Sequence, residues 1–139
     1  MECVTWLSHK FIMHGWLWNL HEDHHNKKPA TIFEKNDTFF IIFAIPSILL
    51  FGLGTYVSSL HLLFFIGLGI LLYGIAYFLV HDVFIHQRFK LFTRSNNFYL
   101  RALRKAHKKH HKHLDKHHGE CFGMLWVPIK YFRDELKRS

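Results

Sequence analysis

TFFIIFAIPSILLFGLGTY (residues 38–56) and LLFFIGLGILLYGIAYFLV (residues 62–80) are separated only by the polar break VSSLH. From Thr38 to Val80 there is no Asp, Glu, Lys or Arg. A helix needs about 20 apolar residues to cross a bilayer, so each stretch is long enough for one span. Helix is the economical form, because hydrocarbon offers no partner to a free backbone N–H or C=O. Pro46 removes one backbone donor and kinks the first span, and Ser47 beside it is placed to satisfy the freed carbonyl. Gly67, Gly69 and Gly74 leave flat patches for a close neighbouring helix. The predicted fold class is an all-α integral membrane protein. It is built as a transmembrane helical hairpin flanked by histidine-rich helices.

Two spans put both ends of the hairpin on one side. Lys27, Lys28 and Lys35 precede it; Arg88, Lys90, Arg94, Arg101, Arg104 and Lys105 follow it; the turn Val57–His61 carries no Lys or Arg. An excess of basic residues marks the cytoplasmic side, so both flanks, with their histidines, are placed there. His61 falls at the opposite turn as an interfacial residue.

The 139 residues suffice for one membrane-embedded domain, residues 1–139. Half the chain is apolar with 15 Phe, and 14 residues are His; the two excesses together point to a membrane protein carrying a metal site. Cys3 and Cys121 are too few for a disulfide framework. His9 and Lys10 interrupt the first apolar residues, so no secretory leader is expected. The stretch CVTWLSHKFIMHGWLWNL (3–20) reads either as the end of a truncated span or as an interfacial helix anchored by Trp6, Trp16 and Trp18. Polar helix is expected from after Arg88 to about His118. CFGMLWVPIKYF (121–132) then dips back toward the interface, and Pro128 opposes a third span.

The histidines fall in a repeated order. His9 and His14 form HxxxxH; His21, His24 and His25 form HxxHH; after the hairpin, His81 and His86 form HxxxxH again and His107, His110 and His111 form HxxHH. In HxxHH the first and last residues share a helical face and the middle one lies about 60 degrees round, so the three imidazoles can converge. HxxxxH is less comfortable at about 140 degrees, so either one ring leans across, or the turn is distorted, or the pair serves different metals. Ten nitrogen ligands are too many for one ion and suit two. Imidazole accepts iron, zinc, copper or nickel, and a structural zinc uses four ligands. Asp82, next to His81, is placed either to hold an imidazole N–H or as a charge at the end of the span. His113, His117 and His118 are available as spare ligands. The basic run Arg101 to Lys116 has no interleaved aromatics and abuts the membrane, so anionic lipid is expected there and nucleic acid is not. The Glu-x-x-His pairs of carboxylate-rich di-iron bundles are absent, as are nucleotide, flavin and nicotinamide motifs. Any electrons consumed must come from a separate protein.

HKFIMHGWLWNLHEDHH (9–25), FEKND (33–37), YFLVHDVFIHQR (77–88), AHKKHHKHLDKHHGECFG (106–123) and FGMLW (122–126) together resemble the membrane-bound, histidine-rich di-iron hydroxylases and desaturases. Within that group the closer resemblance is to the bacterial carotenoid 3-hydroxylase family. The resemblance implies that His9, His14, His21, His24, His25, His81, His86, His107, His110 and His111 hold two non-haem irons. It places Glu34, Asn36 and Asp37 on the family's acidic-polar element. It implies hydroxylation, with O2 as co-substrate, of the beta-ionone rings of beta-carotene, giving beta-cryptoxanthin and zeaxanthin. The carotenoid would arrive from the bilayer past Phe11, Trp16, Phe78 and Phe84, and an external donor such as ferredoxin with its reductase would supply electrons. Two departures stand out. Members commonly carry a further span before the first histidine, so this chain is expected to start late or at an internal Met. The family's usual glycine after His81-Asp82 is Val83 here. The alternatives are a sterol or fatty-acyl hydroxylase or desaturase, and, without catalysis, a membrane zinc- or nickel-handling protein.

Overall fold

The computed structural model describes residues 1–26, 33–91 and 93–138. Among these the regular structure is all helix. The N-terminal arm is α1 (Glu2–Leu7), a π-helical segment π1 (Ser8–Trp16) that kinks at Gly15, and α2 (Trp18–His25). A short 3-10 turn (Lys35–Asp37) leads into α3 (Thr38–Tyr56). The turn Ser58–Leu60 reverses the chain into α4 (Leu62–Phe78), which runs on as a second π-helical segment, π2 (Leu79–Ile85). Helices α5 (Phe98–His110) and α6 (Ile129–Leu136) complete the chain.

The apolar stretches form continuous helices over Lys35–Tyr56 and Leu62–Ile85, of 22 and 24 residues, long and apolar enough to cross a membrane. Only 17% and 6% of their most apolar windows is buried, so their side chains point outward and are not the core of a soluble fold. Helices α3 and α4 pack against each other where side chains are small. A Cβ on Gly67 would stand 2.8 Å from the Phe51 nitrogen and 2.9 Å from the Ser47 carbonyl; one on Gly54 would run into the Phe64 backbone nitrogen. Gly67 is therefore a contact glycine as expected. Gly69 and Gly74 face open space, and Gly54, which the hydrophobic pattern does not single out, is the second contact. Ser47 does not serve its own helix near Pro46. Its hydroxyl donates across the hairpin to the Gly67 carbonyl at 2.9 Å, joining the spans at the point of closest approach.

Outside the hairpin, α5 and α6 form a small core of Ala102, Leu103, Ala106, Val127 and Tyr131. The Asn97 side chain starts α5 by accepting the backbone N–H groups of Tyr99 and Leu100. Helix α5 stops at His110, not near His118 as the polar pattern predicts. The helix closes with the N–H groups of Lys112 and His113 on the carbonyls of Lys109 and His110; further on, Asp115 takes the N–H groups of His117 and His118, and Glu120 and Phe122 return to the histidines. CFGMLWVPIKYF is not one amphipathic element: it is irregular to Pro128 and helical from Ile129. The expected aromatic entrance is also redrawn. Phe11 and Trp16 are 58% and 85% exposed, but Phe84 is buried beneath the Arg104 guanidinium, 3.8 Å from its ring, and lines no outer surface. Lys27 and Lys28, counted in the charge asymmetry, lie outside the described residues.

Candidate metal centre

The HxxxxH spacing is accommodated by the distorted turn. Both pairs lie in π-helical segments, where each N–H reaches back five residues instead of four. In the second pair the closing bond joins the motif's own ends, His86 N–H to His81 C=O at 2.9 Å. Residues five apart then share a face. Ring centroids are 5.2 Å apart for His9 and His14, and 4.5 Å for His81 and His86.

The two HxxHH helices do not each feed one site, as a simple face argument predicts. The ligand atoms of His9, His14, His21, His25 and His110 lie within 4.8 Å of one another, and those of His24, His81, His86 and His107 do the same. His21 and His25, four apart on α2, serve the first group. The middle histidine, His24, turns the other way, and its Nε2 meets His81 Nε2 at 3.0 Å. On α5 the middle histidine, His110, crosses in return and meets His14 Nε2 at 3.1 Å. Each half of the chain thus contributes its middle histidine to the other half's group. His111 corresponds by this exchange to His25 and belongs with the second group. Its ring lies 4.5 Å from His107, 4.8 Å from His24 and 4.8 Å from His86, and its buried Nε2 has no hydrogen-bond partner. It also stacks on His25 at 4.5 Å, the point where the two groups touch.

The partners of the other ring nitrogen fix the proton. His9 Nδ1–H donates to Phe122 C=O at 3.0 Å, His25 to His113 C=O at 3.0 Å, and His110 to Glu120 C=O at 2.8 Å. His21 donates to Asn36 Oδ1 at 2.7 Å, His24 to Glu34 Oε2 at 2.8 Å, and His81 to Asp82 Oδ2 at 3.1 Å. These oxygens only accept, so Nδ1 carries the hydrogen and Nε2 is a bare lone pair in each neutral ring. His9 and His25 each bring Nε2 to 3.2 Å from His21 Nε2, and His24 meets His81 at 3.0 Å. Lone pairs so close repel unless a cation lies between them. Two nitrogens each bonded at about 2.1 Å to one ion, at a right angle, stand about 3.0 Å apart. The donor set fits metal ions.

Burial holds most of these rings, among them His14, His21, His86 and His110, neutral and ready to bind. It lowers His14 to about 4, His110 to about 3, and His21 and His86 to about 2, with neighbouring histidines adding repulsion. His9, His24 and His107 are pushed well below the ordinary histidine value for the same reason.

The supports of the two groups differ. The first rests on backbone carbonyls and an amide oxygen. The second rests on the carboxylates of Glu34 and Asp82. Arg88 ties these together, 3.2 Å from Glu34, 3.1 Å from Asp82 and 2.7 Å from Asp37. Trp18 is no interfacial anchor; it packs on His14 and His25 at 5.0 and 5.4 Å. His61 stays at the far turn beside Phe64 and Phe65. His117 and His118 are exposed, and His113 contributes its carbonyl, not its ring, to the first group. The carbonyls of His113, Glu120 and Phe122 carry no side-chain signal and are invisible to sequence patterning. So is Glu2, whose carboxylate accepts the N–H groups of Met124 and Trp126 at 2.8 and 3.1 Å and of Leu125 at 3.2 Å.

The sequence model for fatty acid hydroxylases matches residues 1–130. The chain belongs to the fatty acid hydroxylase family. Within it, this hydroxylase is 41% identical to the beta-carotene hydroxylase of Pantoea ananas over 92% of its own length and 71% of that protein. It is 36% identical to the beta-carotene hydroxylase of a Paracoccus species over 100% of its length and 85% of that protein. The Arabidopsis thaliana chloroplastic beta-carotene 3-hydroxylase 1 matches at 40% over 92% of this chain and 41% of its own. No solved structure matches.

Proposed function

We propose that this hydroxylase inserts hydroxyl groups at C3 of the beta-ionone rings of beta-carotene, giving beta-cryptoxanthin and then zeaxanthin. The observation that carries the reading is the pair of histidine groups with opposed bare Nε2 atoms, in a chain aligned along nearly its whole length with beta-carotene hydroxylases. His9, His14, His21, His25 and His110 would hold one iron; His24, His81, His86, His107 and His111 would hold the other. Two irons so held supply the O2 activation that an unactivated C–H bond requires and that no side chain provides.

The chain's own residues prepare that chemistry. The carbonyls of Phe122, His113 and Glu120 and the side chains of Asn36, Glu34 and Asp82 keep Nδ1 protonated on His9, His25, His110, His21, His24 and His81, so the Nε2 of these six is aimed inward without rearrangement. Phe122 and Trp18 pack on the first group and limit water there. The outward apolar faces of α3 and α4 lie in hydrocarbon, so a polyene approaches along them and needs no aqueous path. Basic residues on both flanks favour the cytoplasmic side for the histidines. One-electron carriers such as ferredoxin deliver the reducing equivalents. Residues 1–139 act as one unit, because the exchange of His24 and His110 needs both halves.

The test is pigment analysis. The chain and its His110→Ala variant are expressed in cells that accumulate beta-carotene. One or two added ring oxygens in the parent and none in the variant is the expected result. Unchanged beta-carotene with membrane-inserted, iron-loaded protein would overturn the substrate assignment.

A further inference from the structure

The ligand face of α5 has a basic reverse side. His107 and His110 are buried toward the metal centre, whereas Lys108 and Lys112 are exposed. That reverse side, the loop Thr93–Asn96 and α6 enclose a groove of about 700 Å³. Among its lining residues are eight cations and one carboxylate, Glu135. Arg101 and Lys105 are tied to Glu135 and Asp134 across the groove. Arg94, Lys108 and Lys112 form no ion pair among the described residues, so the surface keeps a strong positive excess. Most of the chain's formal net charge of +8 is concentrated here.

We propose that this groove docks an acidic one-electron carrier protein. The inference rests on the hydroxylase reading only in requiring electrons from outside. Hydroxylation converts R–H, O2, two electrons and two protons into R–OH and water, so such a carrier docks twice per turnover, each time losing one electron. The groove lies close behind the ligands: a single helix, about 10 Å across, separates Lys108 from the histidine face. Opposite charge would steer the carrier and set its orientation. The lining favours a protein over a lipid surface. It consists of Thr, Arg, Ser, Asn, Lys, Tyr and Glu, with no aliphatic side chain to insert between headgroups.

The full chain, loaded with iron, is placed in neutral phosphatidylcholine nanodiscs. Docking of an acidic plant-type ferredoxin is followed by surface plasmon resonance at rising salt, and reduction of the irons by stopped-flow absorbance without carotenoid. With Lys108→Glu and Lys112→Glu together, docking should weaken about tenfold or more and depend less steeply on salt. Reduction by ferredoxin should slow in step, while reduction by dithionite is unchanged. Lys10→Glu, a single charge reversal of the same kind elsewhere, should have no effect. The milder pair Lys108→Gln and Lys112→Gln should fall between, which guards against misfolding of the reversal variant. Parental docking and reduction in the folded variants would overturn the proposal. So would unchanged ferredoxin docking with lost flotation on phosphatidylglycerol vesicles, which assigns the groove to lipid. Since no carotenoid enters these assays, failure of the substrate reading and failure of the docking reading are told apart.

Discussion

At the scale of single residues, the two histidine groups differ in what stands behind them. A carboxylate on Nδ1–H makes an imidazole a stronger donor than a carbonyl does. The group backed by Glu34 and Asp82 should therefore bind iron first. Asp82→Asn together with Glu34→Gln should lower its affinity about 10–100-fold and leave the other group intact. Titration of the metal-free protein with ferrous iron, followed to stoichiometry, should then lose its tighter step. The depressed histidine values give a second expectation. His14 and His110 sit at about 4 and 3 in the folded protein against an unfolded value of 6.5. Below pH 6.5 the unfolded chain binds protons that the folded chain refuses, so stability falls as pH falls. The metal-free protein should keep its full stability above about pH 6.5 and lose it progressively toward pH 4, read as a falling thermal midpoint. Near pH 7 the rings are already neutral, so iron binding should release few protons. Calorimetry in buffers of different ionisation enthalpy checks this.

At the scale of elements, spacing and helix type are coupled. HxxxxH works because π1 and π2 close every five residues. Deleting Val83 would leave three residues between His81 and His86 and restore α-helical closure. His81 and His86 would then stand four apart on an α-helix, as His21 and His25 do, and the second group should keep its iron while both spans still insert, which iron analysis of the membrane fraction would reveal. The hairpin makes a comparable demand on small residues. Gly67→Val places atoms against the backbone of Ser47 and Phe51, which cannot withdraw, and should cost about 1–3 kcal/mol as a lower melting point in detergent. Gly69→Ala, which faces open space, should change nothing. Ser47→Ala removes one bond between spans, worth about 0.6 kcal/mol.

At the scale of the whole molecule, segments far apart in the chain close the site. Glu2 holds the turn Met124–Trp126, two residues beyond the Phe122 carbonyl that orients His9. Its hydrogen bonds are charge-assisted, each worth about 1.5–3 kcal/mol. Glu2→Ala should speed hydrogen exchange across residues 121–127 and loosen iron in the first group only. The repeated order of histidine motifs, the apolar hairpin and the charge-free middle are legible in the sequence, since each is a local pattern of side chains. That pattern places the ten histidines in two motif pairs and leaves open how they divide. The division is tertiary: α2 and α5 lie face to face, so His24 and His110 each reach the opposite group. The carbonyls that set the tautomers belong to the backbone and acquire a role only when residues 113–122 fold beneath the rings. Side-chain chemistry thus announces a metal-binding membrane protein from sequence alone. Which nitrogen meets which, and what fixes its proton, depends on contacts between residues far apart in the chain, such as His9 and Phe122, which no local pattern encodes.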